Sequence, residues 1–351
     1  MKRKLVYTLA ALALAAAQPA EATTKWTLSG ALGTGGNAMT MTSDDDPALK
    51  ITDVRLTASG ATTLNIYGGK NFYDGCPEGS VDLDLTVPIY FGDDTTVQYS
   101  VAQLGNGTFS GNKQLRSVKL PSTLVSMEKE NFKGCTSLKS VDMSLATGLT
   151  TMGPQVFNGC SSLEGYFYFP AGITTLENNM FNGTKISGFY APGMASMENQ
   201  VFYNVKTLET IQFGPNMNSF GREAFRDQGQ VIRTVFFEGN PPTTKTYFDR
   251  GGNQFMDMLG ANAVIFVPMN AAKNAISDGW KTYLEDTESG WTSSAVQTAN
   301  TNTYTLPAYD AETGVWTDGS LYNGYGSVKR TYILRCWDPS DTSATAALLA
   351  Y

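Results

Sequence analysis

A phenylalanine-centred pattern recurs along this 351-residue chain and limits the folds that it can adopt. Apolar residues precede each Phe by eight and by five positions, as Leu124 and Met127 precede Phe132. The same offsets recur around seven phenylalanines, namely Phe72, Phe109, Phe132, Phe157, Phe181, Phe202 and Phe225. This regular spacing indicates a repeat architecture, in which each unit buries its apolar residues only by stacking on its neighbours.

A second pattern, apolar-x-x-apolar-x-apolar, follows the phenylalanines, as in Leu138, Val141 and Met143. The second of the three apolar residues begins each expected strand. It falls at residues 54, 81, 118, 141, 166, 189, 211, 235 and 264. The six from 118 to 235 lie 22 to 25 residues apart, a period typical of leucine-rich repeats. The pattern therefore predicts a mainly β solenoid of short parallel strands, with insertions near 84–98 and 240–254 and with alternate strand residues facing inward and outward.

The details of the repeat identify a family. The chain resembles the BspA-like leucine-rich repeat proteins of bacterial surfaces in Gly134-Cys135, Gly159-Cys160, Met152-Gly153, Phe220-Gly221, Leu120-Pro121 and the closing Val267-Pro268 with Trp280 and Tyr283. It departs from the family at Thr184, Val205 and Gln228, where Cys is usual. The resemblance covers residues 50–285. It implies a secreted or surface-exposed binding protein and does not specify the ligand.

The two ends of the chain have a different character from the repeats. Residues 1–22 carry Lys2, Arg3 and Lys4, an apolar run and an Ala-Glu-Ala site, which predicts a secretory signal peptide and an extracellular or cell-surface location, with the periplasm as an alternative. No later segment is apolar enough to span a membrane. We expect residues 23–50 to cap a solenoid at 51–285, with a short helix at 271–284 covering its last turn. Residues 286–351 predict a small β module, with strands at 304–306, 314–316 and 330–335.

Composition narrows the possible functions. The chain contains no His, which excludes Ser-His-Asp and Cys-His catalysis and His-ligated zinc. A pair of carboxylates would remain possible, but Asp82 and Asp142 are expected about 10 Å apart with Lys119 between them, which disfavours glycosidase chemistry. The net charge of −7 and the lack of a basic cluster argue against nucleic acid. We interpret the acidic run at 44–46 as a solvated surface and expect no cofactor and no metal.

Two cysteines should stack on neighbouring repeats. Cys135 and Cys160 each lie three residues after a repeat Phe, and equivalent side chains in a ladder point in parallel, which opposes the dihedral angle of a disulfide. We therefore expect buried free thiols that behave as small apolar side chains. The sequence leaves the state of Cys76 and Cys336 open.

The outward residues of the strands form a candidate ligand face. These residues are expected at Lys119, Asp142, Phe167, Tyr190, Gln212, Phe236 and Ile265. Phe167, Phe169, Tyr190 and Phe236 are the candidate ligand-binding residues, because exposed aromatic patches often mark contact sites. Alternatively, the aromatic residues only pair across the sheet, or the C-terminal module covers them.

These features favour a non-catalytic, adhesin-like protein whose partners are host or bacterial surface proteins or glycans. The alternatives are a carbohydrate-binding or carboxylate-dependent glycan-active protein and a structural component of the surface. The sequence does not separate these functions, and it leaves the oligomeric state open.

Overall fold

A computed structural model describes residues 25–35, 39–47, 49–69, 77–243, 255–286, 291–293, 302–323 and 330–341. The signal peptide predicted at 1–22, together with Phe72 and Cys76, lies outside these residues.

The described residues are mostly strands. The strands up to the last repeat are β1 (Trp26–Gly30), β2 (Met39–Ser43), β3 (Lys50–Leu56), β4 (Thr63–Gly68), β5 (Val81–Asp84), β6 (Ile89–Phe91), β7 (Asp94–Leu104), β8 (Leu115–Lys119), β9 (Ser126–Met127), β10 (Ser140–Asp142), β11 (Thr151–Met152), β12 (Glu164–Tyr168), β13 (Thr175–Leu176), β14 (Lys185–Ala191), β15 (Ser196–Met197), β16 (Thr210–Phe213), β17 (Ser219–Phe220), β18 (Ile232–Phe237) and β19 (Leu259–Pro268). A short 3₁₀ turn (Met256–Met258) precedes β19, and the helix α1 (Asp278–Glu285) follows it. The later strands are β20 (Trp291–Ser293), β21 (Asn302–Thr305), β22 (Ala308–Asp310), β23 (Val315–Thr317), β24 (Gly319–Asn323) and β25 (Arg330–Trp337).

The predicted solenoid is confirmed, and each of its turns, or rungs, has three walls. The first wall is the front sheet, formed by the parallel sets β5-β8-β10 and β12-β14-β16-β18-β19. The second is the rear wall of two-residue strands, β9-β11 and β13-β15-β17. The third is the turn wall, where the repeat phenylalanines enter the core. The residues five positions before each repeat Phe, such as Met127 and Met152, face inward from the rear wall. Every rung therefore closes around one apolar interior.

The phenylalanines form a continuous column through this interior. Phe109, Phe132, Phe157, Phe181, Phe202 and Phe225 are almost fully buried. Neighbouring ring centroids are 5.3, 5.7, 5.2, 5.4 and 5.3 Å apart in that order. This spacing follows from the stacking of strands about 4.8 Å apart and lets each ring contact the next.

The Gly in Phe-x-Gly-Cys has a backbone role. Gly134 and Gly159 have φ of 71° and 75°, a left-handed conformation that glycine adopts at little cost. In later rungs Asn204 and Asp227 take the equivalent position with φ of 58° and 61°. Asn and Asp tolerate this conformation better than most side chains, which explains how the turn survives where the Gly-Cys motif is lost.

The N-terminal sheet differs from the predicted early repeat. Strand β3, expected to begin the parallel ladder, pairs antiparallel with both β2 and β4. The sheet then becomes parallel at β4-β7 and continues into the rear wall through β9. The predicted insertion near 84–98 contains β6 and the start of β7, which pair antiparallel. The boundary predicted at residue 50 stays a prediction.

The C-terminal module extends the front sheet. Strand β25 pairs in parallel with β19, and β24 and β21 follow in antiparallel pairing. Helix α1 begins at Asp278 rather than near 271, and its buried Trp280 packs 5.0 Å from the Phe237 ring. The helix therefore covers the interior of the last rung but does not close the edge of the sheet, since β25 occupies that edge.

Candidate functional site

The exposed side of the front sheet, here called the front face, carries one aromatic column. Pairing places its members in register as Tyr168, Tyr190, Gln212, Phe236, Phe266 and Arg335. The inward column of the same strands is Phe167, Phe189, Ile211, Val235, Ile265 and Leu334.

Phe167 and Phe169 are not on the front face, so the predicted outward orientation of these two residues is wrong. Each is only 4% exposed, and the Phe167 ring lies 5.5 Å from Phe157 and 5.1 Å from Phe181. Strand β12 has one residue more than its neighbours between Leu163 and the inward position, and the register shifts at Gly165, whose φ is +86°. This extra residue shifts the inward–outward alternation of β12 by one position, so that its tyrosines face outward.

Two other strands are also displaced from the predicted register. Leu83, not Val81, pairs with Val118. Ile265, expected to face outward, is buried in the core, and Phe266 lies on the front face instead. In both cases the apolar pattern fits two registers equally well, and the pairing with the neighbouring strand selects one.

Three tyrosines form the accessible part of the front face and are called here the tyrosine cluster: Tyr166, Tyr168 and Tyr190. The Tyr168 side chain is 60% exposed, and its ring centroid lies 4.8 Å from that of Tyr166. Tyr166 donates a hydrogen bond from its hydroxyl to the Phe189 carbonyl at 2.9 Å. A Cβ on Gly188 would lie 2.7 Å from the Tyr166 ring, so glycine is needed for this ring to lie against the sheet.

Tyr190 belongs to a small polar network. Gln212 donates a hydrogen bond from Nε2 to the Glu238 carboxylate at 2.7 Å, and the Tyr190 phenol lies beside the same carboxylate. Burial and the Glu238 charge raise the pKa of Tyr190 to about 12. Burial also raises the pKa of Tyr166. Both phenols are therefore neutral donors at physiological pH, held in fixed positions beside the exposed Tyr168 ring.

Phe236 lies on the front face as predicted, but the C-terminal module buries it. Its ring stacks 4.5 Å from Phe266 and lies 5.1 Å from Trp337. Trp337 donates an indole hydrogen bond to the Phe237 carbonyl at 2.9 Å, which fixes it over this end of the face. Phe236 is therefore not accessible to a ligand here, whereas the predicted role of Tyr190 stays a prediction.

The candidate carboxylates do not form a catalytic pair on this face. Asp82 is in register with Ser117, whereas Asp84 and Asp142 both align with Lys119. Hydrogen bonds from Arg116 and Ser117 lower the pKa of Asp82. A carboxyl group with a lowered pKa is a poor general acid, because glycosidase acids need a raised one.

The position three residues after the repeat Phe carries a buried side-chain donor in several rungs, whereas the buried Val205 occupies it without one. Cys135 and Cys160 are free thiols, as predicted, and they donate to the carbonyls of Phe109 and Phe132 at 3.0 and 2.9 Å. Gln228 donates to the Phe202 carbonyl in the same way. At these three residues the site is therefore a hydrogen-bond link between rungs, not only the small apolar position that the sequence indicates. Thr184 instead donates to the Phe181 carbonyl of its own rung at 2.9 Å.

Within the described segments, no three His, Cys, Asp or Glu residues come together as metal ligands. The same part of the chain has no helix long and apolar enough to cross a membrane. At the acidic run, Asp44 forms an ion pair with Lys25 at 2.9 Å and accepts a hydrogen bond from Thr27.

The walls and the Phe column define the class of fold, a leucine-rich repeat solenoid. Residues 93–196 and 143–248 match the BspA type leucine rich repeat region, with six copies. The resemblance found in the sequence is thereby confirmed for residues 93–248, the part of the chain that matches this family.

Solved structures of bacterial proteins resemble parts of the chain. A leucine rich cell surface protein from Faecalibacterium prausnitzii is 19% identical over 55% of this chain and 54% of its own, with a TM-score of 0.36. The T. pallidum leucine rich repeat protein is 19% identical over 52% of this chain and 67% of its own, with a TM-score of 0.33. The pneumococcal vaccine antigen PcpA is 11% identical over 68% and 77%, with a TM-score of 0.27. This chain thus spans about half the length of the first of these proteins, and no curated protein matches it at a significant level.

Proposed function

We propose that this chain is an exported, non-catalytic surface protein that binds other proteins through its front face, in the manner of an adhesin. The proposal rests on Tyr168, a largely exposed side chain whose ring lies against the half-buried Tyr166 and which is in register with the half-buried Tyr190. Tyr is enriched among the residues that dominate protein interfaces, and neighbours that exclude water increase its contribution. The signal-like residues 1–22 support export.

The arrangement also lowers the entropic cost of binding. The Tyr166 hydroxyl is hydrogen-bonded to the backbone and its ring is held against Gly188, while Tyr190 is half-buried beside Glu238. Side chains that are already ordered lose little rotamer freedom when a partner docks, so more of the contact energy appears as affinity. The small outward residues Thr210 and Thr234 leave space beside the rings.

The binding test uses the mature chain against immobilised host matrix proteins and mucin, measured by biolayer interferometry. Tyr168→Ser should weaken binding at least about tenfold, the effect of losing about 1.4 kcal/mol at an interface hot spot. Val125→Ser is the matched control, since Val125 is 51% exposed beside the rear wall and should not contact the partner. Equal binding by the two variants would contradict the proposed site.

A second arm separates proteins from glycans. Exposed tyrosines beside a carboxylate also suit sugars, because the ring faces stack on the sugar and the carboxylate accepts its hydroxyl hydrogens. Enzymatic removal of the mucin glycans should leave binding intact if a protein segment is recognised. Loss of binding after this treatment would favour the carbohydrate-binding alternative.

The signal peptide is tested by N-terminal sequencing of the exported protein. The first residue should be Thr23, and an uncleaved chain would contradict the signal peptide.

A further inference from the structure

Within the described rungs, the hydrogen-bonded ladders of the solenoid are interrupted at one level. In the front sheet, β10 pairs with β8 and β12 pairs with β14, but β10 and β12 do not pair with each other. One hydrogen bond, from Glu164 N to Lys139 O at 3.1 Å, joins the two strands where they begin. In the rear wall, β11 pairs with β9 and β13 pairs with β15, but β11 and β13 are again unpaired. Both interruptions lie between the rungs that contain Phe157 and Phe181.

The turn wall is continuous across the same level. Phe157 N donates to Met180 O at 2.9 Å, and Gly159 N donates to Asn182 O at 2.8 Å. These bonds repeat the pattern of the rung before, where Phe132 N donates to Val156 O at 2.9 Å. Two of the three walls are therefore open at this level, and the rungs stay joined along the third.

The Phe column shows an independent sign of a change in direction. The planes of Phe157 and Phe181 are inclined by 33°. The other neighbouring pairs of the column are inclined by 12°, 9°, 14° and 18°. The largest tilt thus coincides with the interruption of both ladders, as expected if the two rungs diverge from the turn wall.

Phe167 fills the core at this divergence. Its ring makes edge contacts with both Phe157 and Phe181, at interplanar angles of 66° and 78°. It reaches this place because of the additional residue at Gly165, which shifts the register of β12. A Cβ built on Gly165 would meet nothing within 4 Å, so the strand borders open space at this point.

We propose that this level is a flexible joint between two stiff blocks of the repeat array. Ladder hydrogen bonds hold neighbouring rungs at a fixed spacing, so a level that keeps only one of them on its front wall and has no paired strands on its rear wall bends more easily than the others. The turn wall is the pivot, and Phe167 is the wedge that supports the open side. Bending changes the curvature of the front face beside Tyr168. The joint itself does not depend on the proposed binding function, but its effect on ligand capture does.

Double electron–electron resonance on the mature chain tests the joint without any ligand. One spin-label pair, on Lys119→Cys and Glu209→Cys, spans four rung spacings across the joint, which together measure about 19 Å along the stack. The matched pair, on Glu164→Cys and Ala261→Cys, spans four rungs within the second block. Both pairs are built with Cys76→Ser and Cys336→Ser, while Cys135 and Cys160 are buried and stay unlabelled. The distance distribution across the joint should be about twice as wide as that of the matched pair.

The wedge is tested in the same two label pairs. Phe167→Ala should widen the distribution across the joint and leave the second-block pair unchanged. Phe189→Ala, in the same inward column but away from the joint, should widen neither distribution beyond that of the parent protein. If Phe167→Ala does not fold, the test rests on the widths of the two distance distributions in the labelled protein that keeps Phe167. Distributions of equal width in that protein would overturn the proposal, whatever the outcome of the binding assay with Tyr168→Ser.

Discussion

Replacing Phe157 by Ala removes one ring from the middle of the column that runs through all the central rungs. The Phe157 side chain is fully buried, and its ring lies 5.7 Å from Phe132, 5.5 Å from Phe167 and 5.2 Å from Phe181. Deleting a buried Phe costs about 3–5 kcal/mol, including the cavity that remains. Each aromatic contact adds about 0.5–1.5 kcal/mol beyond area burial, which places this variant near the upper end, at about 4–5 kcal/mol.

Equilibrium unfolding in urea, followed by circular dichroism, measures this loss. Val125→Ala is the control and should change the free energy of unfolding by less than about 0.5 kcal/mol, because Val125 is exposed. Repeat arrays are stabilised by nearest-neighbour contacts, so amide protection in Phe157→Ala should fall first in the rungs of Phe132 and Phe181. An unfolding midpoint equal to that of the parent protein would refute the inward assignment of the column.

Two further predictions concern titratable groups. Burial raises the pKa of the Cys135 thiol to about 12 and also raises the pKa of the Cys160 thiol well above its ordinary value; both should therefore resist iodoacetamide in the native protein and react after denaturation, and a 135–160 disulfide in non-reducing peptide maps would contradict this. Arg116 lowers the pKa of Asp82, so its ion pair stabilises the fold above the ordinary carboxyl pKa, and this contribution disappears as the pH falls through the lowered value. Asp82→Asn should cost about 0.5–1 kcal/mol at pH 7, and urea unfolding should show the difference vanishing as the pH falls through the lowered pKa of Asp82; a difference that persists once this carboxyl group is protonated would contradict the pairing.

The periodicity of the sequence was enough to predict the solenoid, because burial selects the same residue types at the same place in every rung. The spacing around Phe132 and Phe157 indicated the column, and their rings do stack. The Gly-Cys pairs indicated two columns whose physical roles, a left-handed turn and a buried donor, appear only in the structure. Cys160 was correctly expected to be a buried free thiol.

The orientation of β12 could not be predicted from the apolar pattern, because Tyr166, Phe167, Tyr168 and Phe169 are all aromatic and fit either register. One signal in the sequence distinguishes the registers. Pro directly follows the last inward residue in Leu120-Pro121 and Ala191-Pro192, and the same rule makes Phe169, before Pro170, an inward residue. The burial of Phe236 was not predictable either, since it depends on Trp337, about 100 residues away in the chain.

The N-terminal strands show a similar limit. Ile51, Val54 and Leu56 are buried, as their pattern predicts, but the pattern does not contain the direction of pairing. An antiparallel and a parallel strand can bury the same alternate residues. The sequence therefore identified the buried residues of this segment and not its place in the sheet.

The tyrosine cluster depends on the opposite orientations of two adjacent residues, Phe167 in the core and Tyr168 on the front face. Urea unfolding of the single variants Phe167→Ser and Tyr168→Ser tests this claim. Phe167→Ser should lose at least about 3 kcal/mol, because it removes a buried ring and buries a hydroxyl. Tyr168→Ser should stay within about 0.5 kcal/mol of the parent protein, as expected for an exposed side chain. The reverse order, or equal losses, would contradict both the register of β12 and the tyrosine cluster.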